Sequence, residues 1–228
     1  MVLCSLLHSS AGALTTSSNS TAVARVVVTC LQDQERALLR LKRSFTTTND
    51  STMAFRSWNV GTDCCGWAGA RCGDADGRVT SLDLGSWSLE SAGLDPALFD
   101  LTYLRYLNLA WNNFNASELP SVGFERLTKL ISLNLSDTNF SGQVPHSIGR
   151  VTNLVSLDLS ASVEIIEMPD SRYMVETWLD DLDNFGYLAV TNFTPLVANL
   201  GGLRELHLGC VDLSESTDWC DAISIIVF

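Results

Sequence analysis

Cysteine and histidine are the residues of this chain whose chemistry depends most on spacing. Seven cysteines occur, and four of them lie close together in the first third of the chain, namely Cys30, Cys64, Cys65 and Cys72. A disulfide between two adjacent cysteines would be strained, so the economical pairing is Cys30 with Cys64 and Cys65 with Cys72. Zinc binding is the competing interpretation, but no paired C-x2-C spacing is present. We expect two disulfides and no metal at these residues.

Catalytic patterns are absent from the sequence. The histidines are His8, His146 and His207, and none of them stands in an H-E-x-x-H motif. No G-x-S-x-G nucleophile motif and no phosphate-binding loop occurs. A Cys–His nucleophile would need a free thiol, and the disulfides account better for the cysteines. We therefore expect no enzyme, no catalytic residues and no cofactor.

The elements that must position any functional residue are short strands marked by leucine. The first leucine of an L-x-L pattern recurs at Leu82, Leu107, Leu133, Leu157 and Leu206, at intervals of 25, 26, 24 and 49 residues. In L-x-L the two leucines point inward and their neighbours face solvent. A polar residue such as Asn112 can then bond backbone groups as the chain turns. The pattern predicts an α/β repeat fold, a leucine-rich repeat solenoid wound as a right-handed superhelix.

The outward positions of these strands, and the residues just beyond them, are the candidate binding residues. Exposed tyrosine and tryptophan on a rigid scaffold are plausible anchors for a ligand. The alternative is that the recurring Asp or Asn after each strand centre is only favourable strand-edge polarity. The candidates are Asp83, Tyr106, Asn108, Trp111, Asp137, Asp158, Glu205 and His207.

The segment before the repeats predicts a cap on the leucine core. A helix over residues 33–45 would bury Leu38, Leu41 and Phe45, with Asp33 as its N-cap. Lys42 and Arg43 would lie on a solvated face near its C-terminal end. We expect Trp58 and Trp67 to cover the open end of the solenoid, since a first repeat has no predecessor to pack on.

Three stretches of this segment carry a family resemblance. DQERALLRLKRSF, DCCGWAGARC and GRVTSLDL together resemble the N-terminal cap of plant extracellular leucine-rich repeat proteins over residues 30–84. With the repeats that follow, the chain is most similar to plant receptor-like proteins of the disease-resistance type. Polygalacturonase-inhibiting proteins share the cap. The later stretch NFSGQVP resembles the plant-type repeat variant, which implies a second short strand, whereas NASELP lacks the glycine.

The resemblance implies an extracellular, secreted binding module in defence signalling. Its partners would be a protein or peptide ligand on the concave face and a co-receptor kinase. In that family a transmembrane helix follows the repeats, which would place a full-length protein at the cell surface. The alternatives are a secreted inhibitor of a microbial wall-degrading enzyme and a truncated product without activity. A nucleic-acid partner is not expected, because 26 acidic residues against 14 basic ones leave no basic footprint.

The chain divides into five segments on these grounds. Residues 1–29 are a degenerate signal or leader, 30–78 the cap, 79–159 the repeats, 160–192 an irregular acidic insertion, and 193–228 a further repeat with a truncated end. The insertion accounts for the interval of 49 residues, either as a loop bulging from the stack or as a contact surface for a partner. No apolar run reaches the roughly 20 residues needed to span a bilayer.

Two further features concern covalent modification. Six N-x-[ST] sequons occur, at Asn19, Asn49, Asn115, Asn134, Asn139 and Asn192, and we expect glycans on all but the first. A glycan on Asn134 would project from the concave face. The resemblance implies that Cys220 pairs with a cysteine of a following repeat, for which Cys210 is the available substitute.

Overall fold

The computed structural model describes residues 29–47, 54–73, 76–162 and 187–223. The helices are α1 (Gln32–Ser44), α2 (Thr194–Val197) and α3 (Trp219–Ile223). Short 3-10 helices lie at Cys64–Gly66, Pro96–Asp100, Phe124–Arg126 and Ile148–Arg150. The strands are β1 (Thr46–Thr47), β2 (Ala70–Cys72), β3 (Val79–Asp83), β4 (Leu89–Glu90), β5 (Tyr106–Asn108), β6 (Ser132–Asn134), β7 (Gly142–Gln143), β8 (Ser156–Asp158), β9 (Leu188–Ala189) and β10 (Glu205–His207).

A six-stranded sheet, which we call the long sheet, runs through the repeats in the order β10-β8-β6-β5-β3-β2. From β3 to β10 the pairing is parallel, and the register aligns Leu82, Leu107, Leu133, Leu157 and Leu206. The first four of these leucines are fully buried, because each strand presents them to one continuous core. The predicted leucine-rich repeat solenoid is confirmed.

The side opposite the long sheet is formed by the 3-10 helices and α2. Leu98, Phe124, Ile148 and Val197 are buried there, one from each successive repeat. Neighbouring turns pack closely enough that a Cβ added at Gly149 would lie 2.5 Å from the carbonyl oxygen of Pro195. The helical side therefore tolerates no extra atoms at this point.

A second, narrower ladder follows the long sheet along one side of the stack. β7 pairs in parallel with β9, as the plant-type motif NFSGQVP predicted. The NASELP segment forms no strand among the described residues: its repeat contributes the isolated bridges Asn113 to Glu90 and Glu118 to Ser141, in keeping with its missing glycine. β1 of the cap pairs antiparallel with β4 and covers the first edge of this ladder.

The cap has the predicted helix with a different beginning. α1 begins at Gln32, and its N-cap residue Leu31 makes no side-chain cap, so Asp33 lies in the first turn and the predicted N-cap role of Asp33 is wrong. The predicted apolar face is confirmed, because Leu38, Leu41 and Phe45 are buried. A hydrogen bond from another part of the cap stabilises the first turn of α1, because the amide of Gly61 donates to the Glu35 carboxylate over 2.7 Å.

Two tryptophans seal the core under the cap, as predicted. Trp58 and Trp67 are buried and stacked, with ring centroids 5.3 Å apart. The basic end of α1 is not simply a solvated face. Lys42 Nζ donates to the carbonyl oxygens of Trp58 (2.7 Å) and Phe55 (3.3 Å), so this lysine joins the helix to the tryptophan loop, while Arg43 stays exposed.

The narrow ladder resumes before the leucine spacing does. The sequence predicts an insertion over residues 160–192, because the leucine pattern disappears from Ser160 to Asn192 and resumes near Pro195. However, β9 already belongs to the narrow ladder, and Leu188 and Val190 are buried. β8 and β9 are therefore separated by residues 159–187. Residues 163–186 lie outside the described residues, as do the predicted leader before residue 29, the sequons Asn19 and Asn49, and the final residues 224–228.

Among the described helices, none is long and apolar enough to cross a bilayer.

Candidate ligand-binding face

The solvent face of the long sheet carries two rows of side chains across the strands. The first row is set by the register of six strands and consists of Arg71, Ser81, Tyr106, Ser132, Ser156 and Glu205. The second row consists of Asp83, Asn108, Asn134, Asp158 and His207. The structure thus brings together on one face all the strand residues that the sequence singled out as binding candidates.

The second row has a structural role in the turns that end each strand. One side-chain oxygen of each Asp or Asn accepts the backbone N–H two residues further on, at Gly85 (3.2 Å), Ala110 (3.0 Å), Ser136 (2.9 Å) and Ser160 (3.0 Å). Such local bonds are typical of Asp and Asn at turns. The alternative interpretation of this column, strand-edge polarity, therefore has a concrete basis.

The carboxylates of the second row keep part of their capacity for a ligand. Asp83 uses a single oxygen for its turn and for the amide of Asn108, which donates over 2.9 Å. Asp158 likewise uses a single oxygen, which accepts both the N–H and the hydroxyl of Ser160. The second oxygen of each has no partner among the described residues. These two carboxylates can accept hydrogen bonds from a bound molecule.

Trp111 and Asp137 occupy equivalent places beyond the strand ends but differ in what they offer. Both have left-handed backbone conformations, with φ of 58° and 52°, and their amides donate to the next turn of the stack. Trp111 is 54% exposed. The Asp137 carboxylate instead accepts both the amide and the hydroxyl of Ser162. Asp137 therefore holds the turn from which the insertion departs, and Trp111 is the free member of the pair.

One repeat carries three exposed aromatic side chains, Tyr103, Tyr106 and Trp111. Tyr106 is 50% exposed and lies between Ser81 and Ser132 in the first row, and these short side chains do not cover its ring. Just before the same strand begins, Tyr103 is exposed. The guanidinium carbon of Arg78 lies over its ring, 4.3 Å from the ring centroid. Aromatic side chains of this kind are the commonest energetic anchors of binding surfaces.

Sequence reasoning missed Arg71 as a member of this face. β2 comes from the cap and pairs antiparallel with β3, which sets Arg71 opposite Ser81. Its side chain is exposed and forms no ion pair with a described residue. The first row therefore runs from a cation at Arg71 to an anion at Glu205. The only sequence signal was the short alternation in GARC, which is too brief to identify a strand.

The cysteines of the cap are joined as the sequence favoured, Cys30 to Cys64 and Cys65 to Cys72. The sulfur atoms of Cys30, Cys64 and Cys72 lie within 4.8 Å of one another because the two disulfides are neighbours. Sulfurs bonded in this way are not thiolate ligands for zinc. Cys210 and Cys220 are free and exposed, so the substitute pairing of Cys210 with Cys220 is not formed.

The described sequons differ in their surroundings. Asn115 and Asn192 are exposed, Asn134 lies half-exposed in the second row, and the Asn139 amide donates to the Asn113 side-chain oxygen over 2.9 Å. Glycosylation of these asparagines remains a prediction.

One carboxylate far from the face has a strongly perturbed pKa. Hydrogen bonds from the hydroxyl of Thr194 and from the amides of Phe193 and Thr194 hold the pKa of Asp218 well below its usual range. The two amides lie 3.0 and 2.8 Å from its oxygens. Asp218 therefore connects the segment before α3 to the beginning of α2.

Comparison with known proteins identifies the modules of this fold. The family model described as the Leucine rich repeat N-terminal domain matches residues 31–73, and the Leucine Rich Repeat model matches residues 129–151. Similar solved structures include the BIR2 ectodomain from Arabidopsis thaliana (TM-score 0.54, 23% identity, 78% of this chain and 79% of that one) and a plant ice-binding protein (0.58, 25%, 82% and 49%). These matches agree with the repeat fold and its cap.

The curated relatives include plant receptor-like proteins. Receptor-like protein 6 of Arabidopsis thaliana is 39% identical over 71% of this chain and 15% of its own length. Receptor-like protein EIX1 of Solanum lycopersicum is 29% identical over 83% and 22%. Receptor-like protein 7 of Arabidopsis thaliana is 39% identical over 82% and 17%. The predicted resemblance is confirmed, and the chain spans between 15% and 22% of the length of these relatives.

Proposed function

We propose that this leucine-rich repeat chain, a relative of plant receptor-like proteins, is an extracellular module that binds a protein or peptide on the solvent face of its long sheet. The observation that carries the proposal is the pair Tyr106 and Trp111. Both are about half exposed on one repeat, Tyr106 in β5 between Ser81 and Ser132 and Trp111 in the turn that follows this strand. Rigid aromatic anchors lose little conformational entropy on binding, which suits them to this task.

The dimensions of the face favour an extended segment of chain as the ligand. Six strands at a spacing of about 4.8 Å give a row about 24 Å long, which matches roughly seven residues of extended peptide. Serine at three of the six positions of the first row leaves the backbone of the sheet accessible. The opposite charges of Arg71 and Glu205 at the two ends would set the direction of a ligand that carries complementary charges.

The role in defence signalling and the co-receptor kinase as a second partner rest on the relationship to receptor-like proteins. A secreted enzyme inhibitor would use the same face, so the face alone does not separate the two. Inhibition of a polygalacturonase by the purified chain would favour the inhibitor. Absence of inhibition together with binding of a peptide would favour the receptor module.

A peptide-display selection against the purified, secreted chain tests the proposal. Selected peptides should lose about tenfold or more in affinity for Tyr106→Ala and for Trp111→Ala, as anchors of an interface do. Val122→Ala is the matched control, because Val122 is 68% exposed beside the 3-10 helix Phe124–Arg126, away from the long sheet. Peptides that bind all three variants equally well would overturn the proposal.

A further inference from the structure

A cavity of about 450 Å³ that is open to solvent lies where the cap meets the first repeat, beyond the end of the second row. Its wall from the cap is the loop of residues 65–71, and its wall from the first repeat is formed by Asp83, Gly85 and Trp87. The volume falls within the range that small-molecule sites occupy. Of the residues that line this cavity, only Arg71 and Asp83 belong to the proposed peptide-binding face.

The walls of this cavity are held in place before any ligand arrives. The Cys65–Cys72 disulfide closes the loop. The Ala68 amide donates to the Ser57 hydroxyl and the Ala68 carbonyl accepts from the Trp58 indole, both over 2.8 Å. Gly69 brings the loop against β3, because a Cβ there would lie 2.3 Å from the carbonyl oxygen of Asp83. A preformed site avoids the entropy cost of ordering a loop on binding.

The polar groups that line the cavity offer both donors and acceptors. The exposed Arg71 guanidinium has no ion-pair partner among the described residues, and the second carboxylate oxygen of Asp83 is likewise free. The indole N–H of Trp87 finds no acceptor in the described part of the chain. The residues that line the cavity therefore carry at least two donors and one acceptor without a partner among the described residues.

The opposite charges of Arg71 and Asp83 disfavour a dianion and a dication alike. A dianion would meet the Asp83 carboxylate, and a dication would meet the Arg71 guanidinium. A neutral molecule rich in hydroxyl groups satisfies both, because each hydroxyl donates and accepts. The half-buried Trp87 ring, braced edge-on by Phe55 at 5.5 Å between centroids, adds an apolar surface. A pyranose ring combines these properties, with hydroxyls around its edge and C–H groups on its face.

We propose that this cavity binds a short neutral saccharide, with Arg71 and Asp83 bonding its hydroxyls and Trp87 contacting a ring face. The site goes beyond the proposed peptide-binding function and shares only Arg71 and Asp83 with the rows of the face. Its test needs no peptide ligand, so each proposal can fail without the other.

The experiment is saturation-transfer NMR on the full secreted chain, with cellotriose, xylotriose and chitotriose as neutral probes and trigalacturonic acid as an anionic one. At least one neutral trisaccharide should receive saturation and titrate with a measurable Kd. Arg71→Ala and Asp83→Asn should each weaken that Kd by about fivefold or more, as expected for losing one hydrogen bond. Arg56→Ala, an exposed arginine of the cap outside the cavity, is the matched control and should leave the Kd unchanged.

Trp87→Phe separates a folding defect from a binding defect. Phenylalanine preserves an aromatic contact with Phe55 and removes only the indole N–H and part of the ring, so the protein should fold and bind more weakly. Three results would each overturn the proposal. They are no saturation of any neutral probe, equal binding by the wild-type and both cavity variants, and tighter binding of trigalacturonic acid than of every neutral probe.

Discussion

The two ends of the described repeat stack are held by different forces. At the cap end two disulfides, the stacked Trp58 and Trp67 and a fully buried Leu82 close the core. At the far end Leu206, Leu208 and Leu213 are only partly buried, and the Asp218 carboxylate provides the hydrogen bonds that join α2 to the segment before α3. Reduction of the disulfides should therefore destabilise the cap end, and protonation of Asp218 in acid should destabilise the far end.

The largest expected effect is the loss of the long cap disulfide. Cys30→Ser with Cys64→Ser opens a loop with a sequence separation of 34, which should lower the free energy of unfolding by about 4 kcal/mol. Opening the loop of separation 7 with Cys65→Ser and Cys72→Ser should cost less, about 2.5 kcal/mol. Urea denaturation measures both.

Cys210→Ser is the control for these pairs, because Cys210 is free and exposed. An equal loss for both pairs, or a loss for the control, would show that the cap is not held through chain entropy.

A smaller effect is expected inside the stack, at the buried polar residue that follows each strand. The Asn112 amide donates to three carbonyls, Leu84 and Leu109 at 2.8 Å and Ala110 at 3.3 Å, and accepts from Leu89 at 2.9 Å. At the equivalent place in the next repeat, the Thr138 hydroxyl makes one bond, to Leu135, of 2.6 Å. Asn112→Ala should therefore destabilise the protein by about 3 kcal/mol and Thr138→Ala by about 1 kcal/mol.

Thermal unfolding followed by circular dichroism measures these two losses. If Thr138→Ala proved as damaging as Asn112→Ala, bonds between repeats would not be what distinguishes the two positions.

The smallest effect concerns acid at the far end. Because the folded pKa of Asp218 lies below its unfolded value, its contribution is present at neutral pH and is lost as the pH falls below about 4. Hydrogen exchange, corrected for its intrinsic pH dependence, should show residues 193–223 losing protection at acid pH while the amides of α1 keep theirs. Asp218→Asn should show weaker protection of the same residues already at neutral pH. Uniform loss of protection along the chain would contradict the contrast between the two ends.

Much of this fold could be predicted because its signals are local. The L-x-L pattern fixes which side chains are buried within three residues. The register of Leu82 to Leu206 and both rows of the face, except Arg71, therefore followed from the spacing. The cap helix followed from Leu38, Leu41 and Phe45 for the same reason. The disulfide pairing followed because adjacent cysteines limit the choices.

What the sequence did not show depends on contacts distant along the chain. Lys42 bonds carbonyls 13 and 16 residues away, and β2 meets β3 only because the cap folds back on the first repeat. Arg71 and Trp87 come to the same cavity by that return of the chain. β9 was missed because two residues cannot display a period, and because Leu188 stands outside the L-x-L spacing that marks the long-sheet strands.

The most direct test of the binding face is a labelling footprint. In a background of Cys4→Ser, Cys210→Ser and Cys220→Ser, Ser132→Cys places the single free thiol in the first row, and Ser121→Cys places it beside the opposite, helical side. A peptide selected by display should slow maleimide labelling of Ser132→Cys by about tenfold and leave Ser121→Cys unchanged, because a bound peptide excludes the reagent from the face. Unchanged labelling of Ser132→Cys at saturating peptide would contradict the claim that ligands bind across the long sheet.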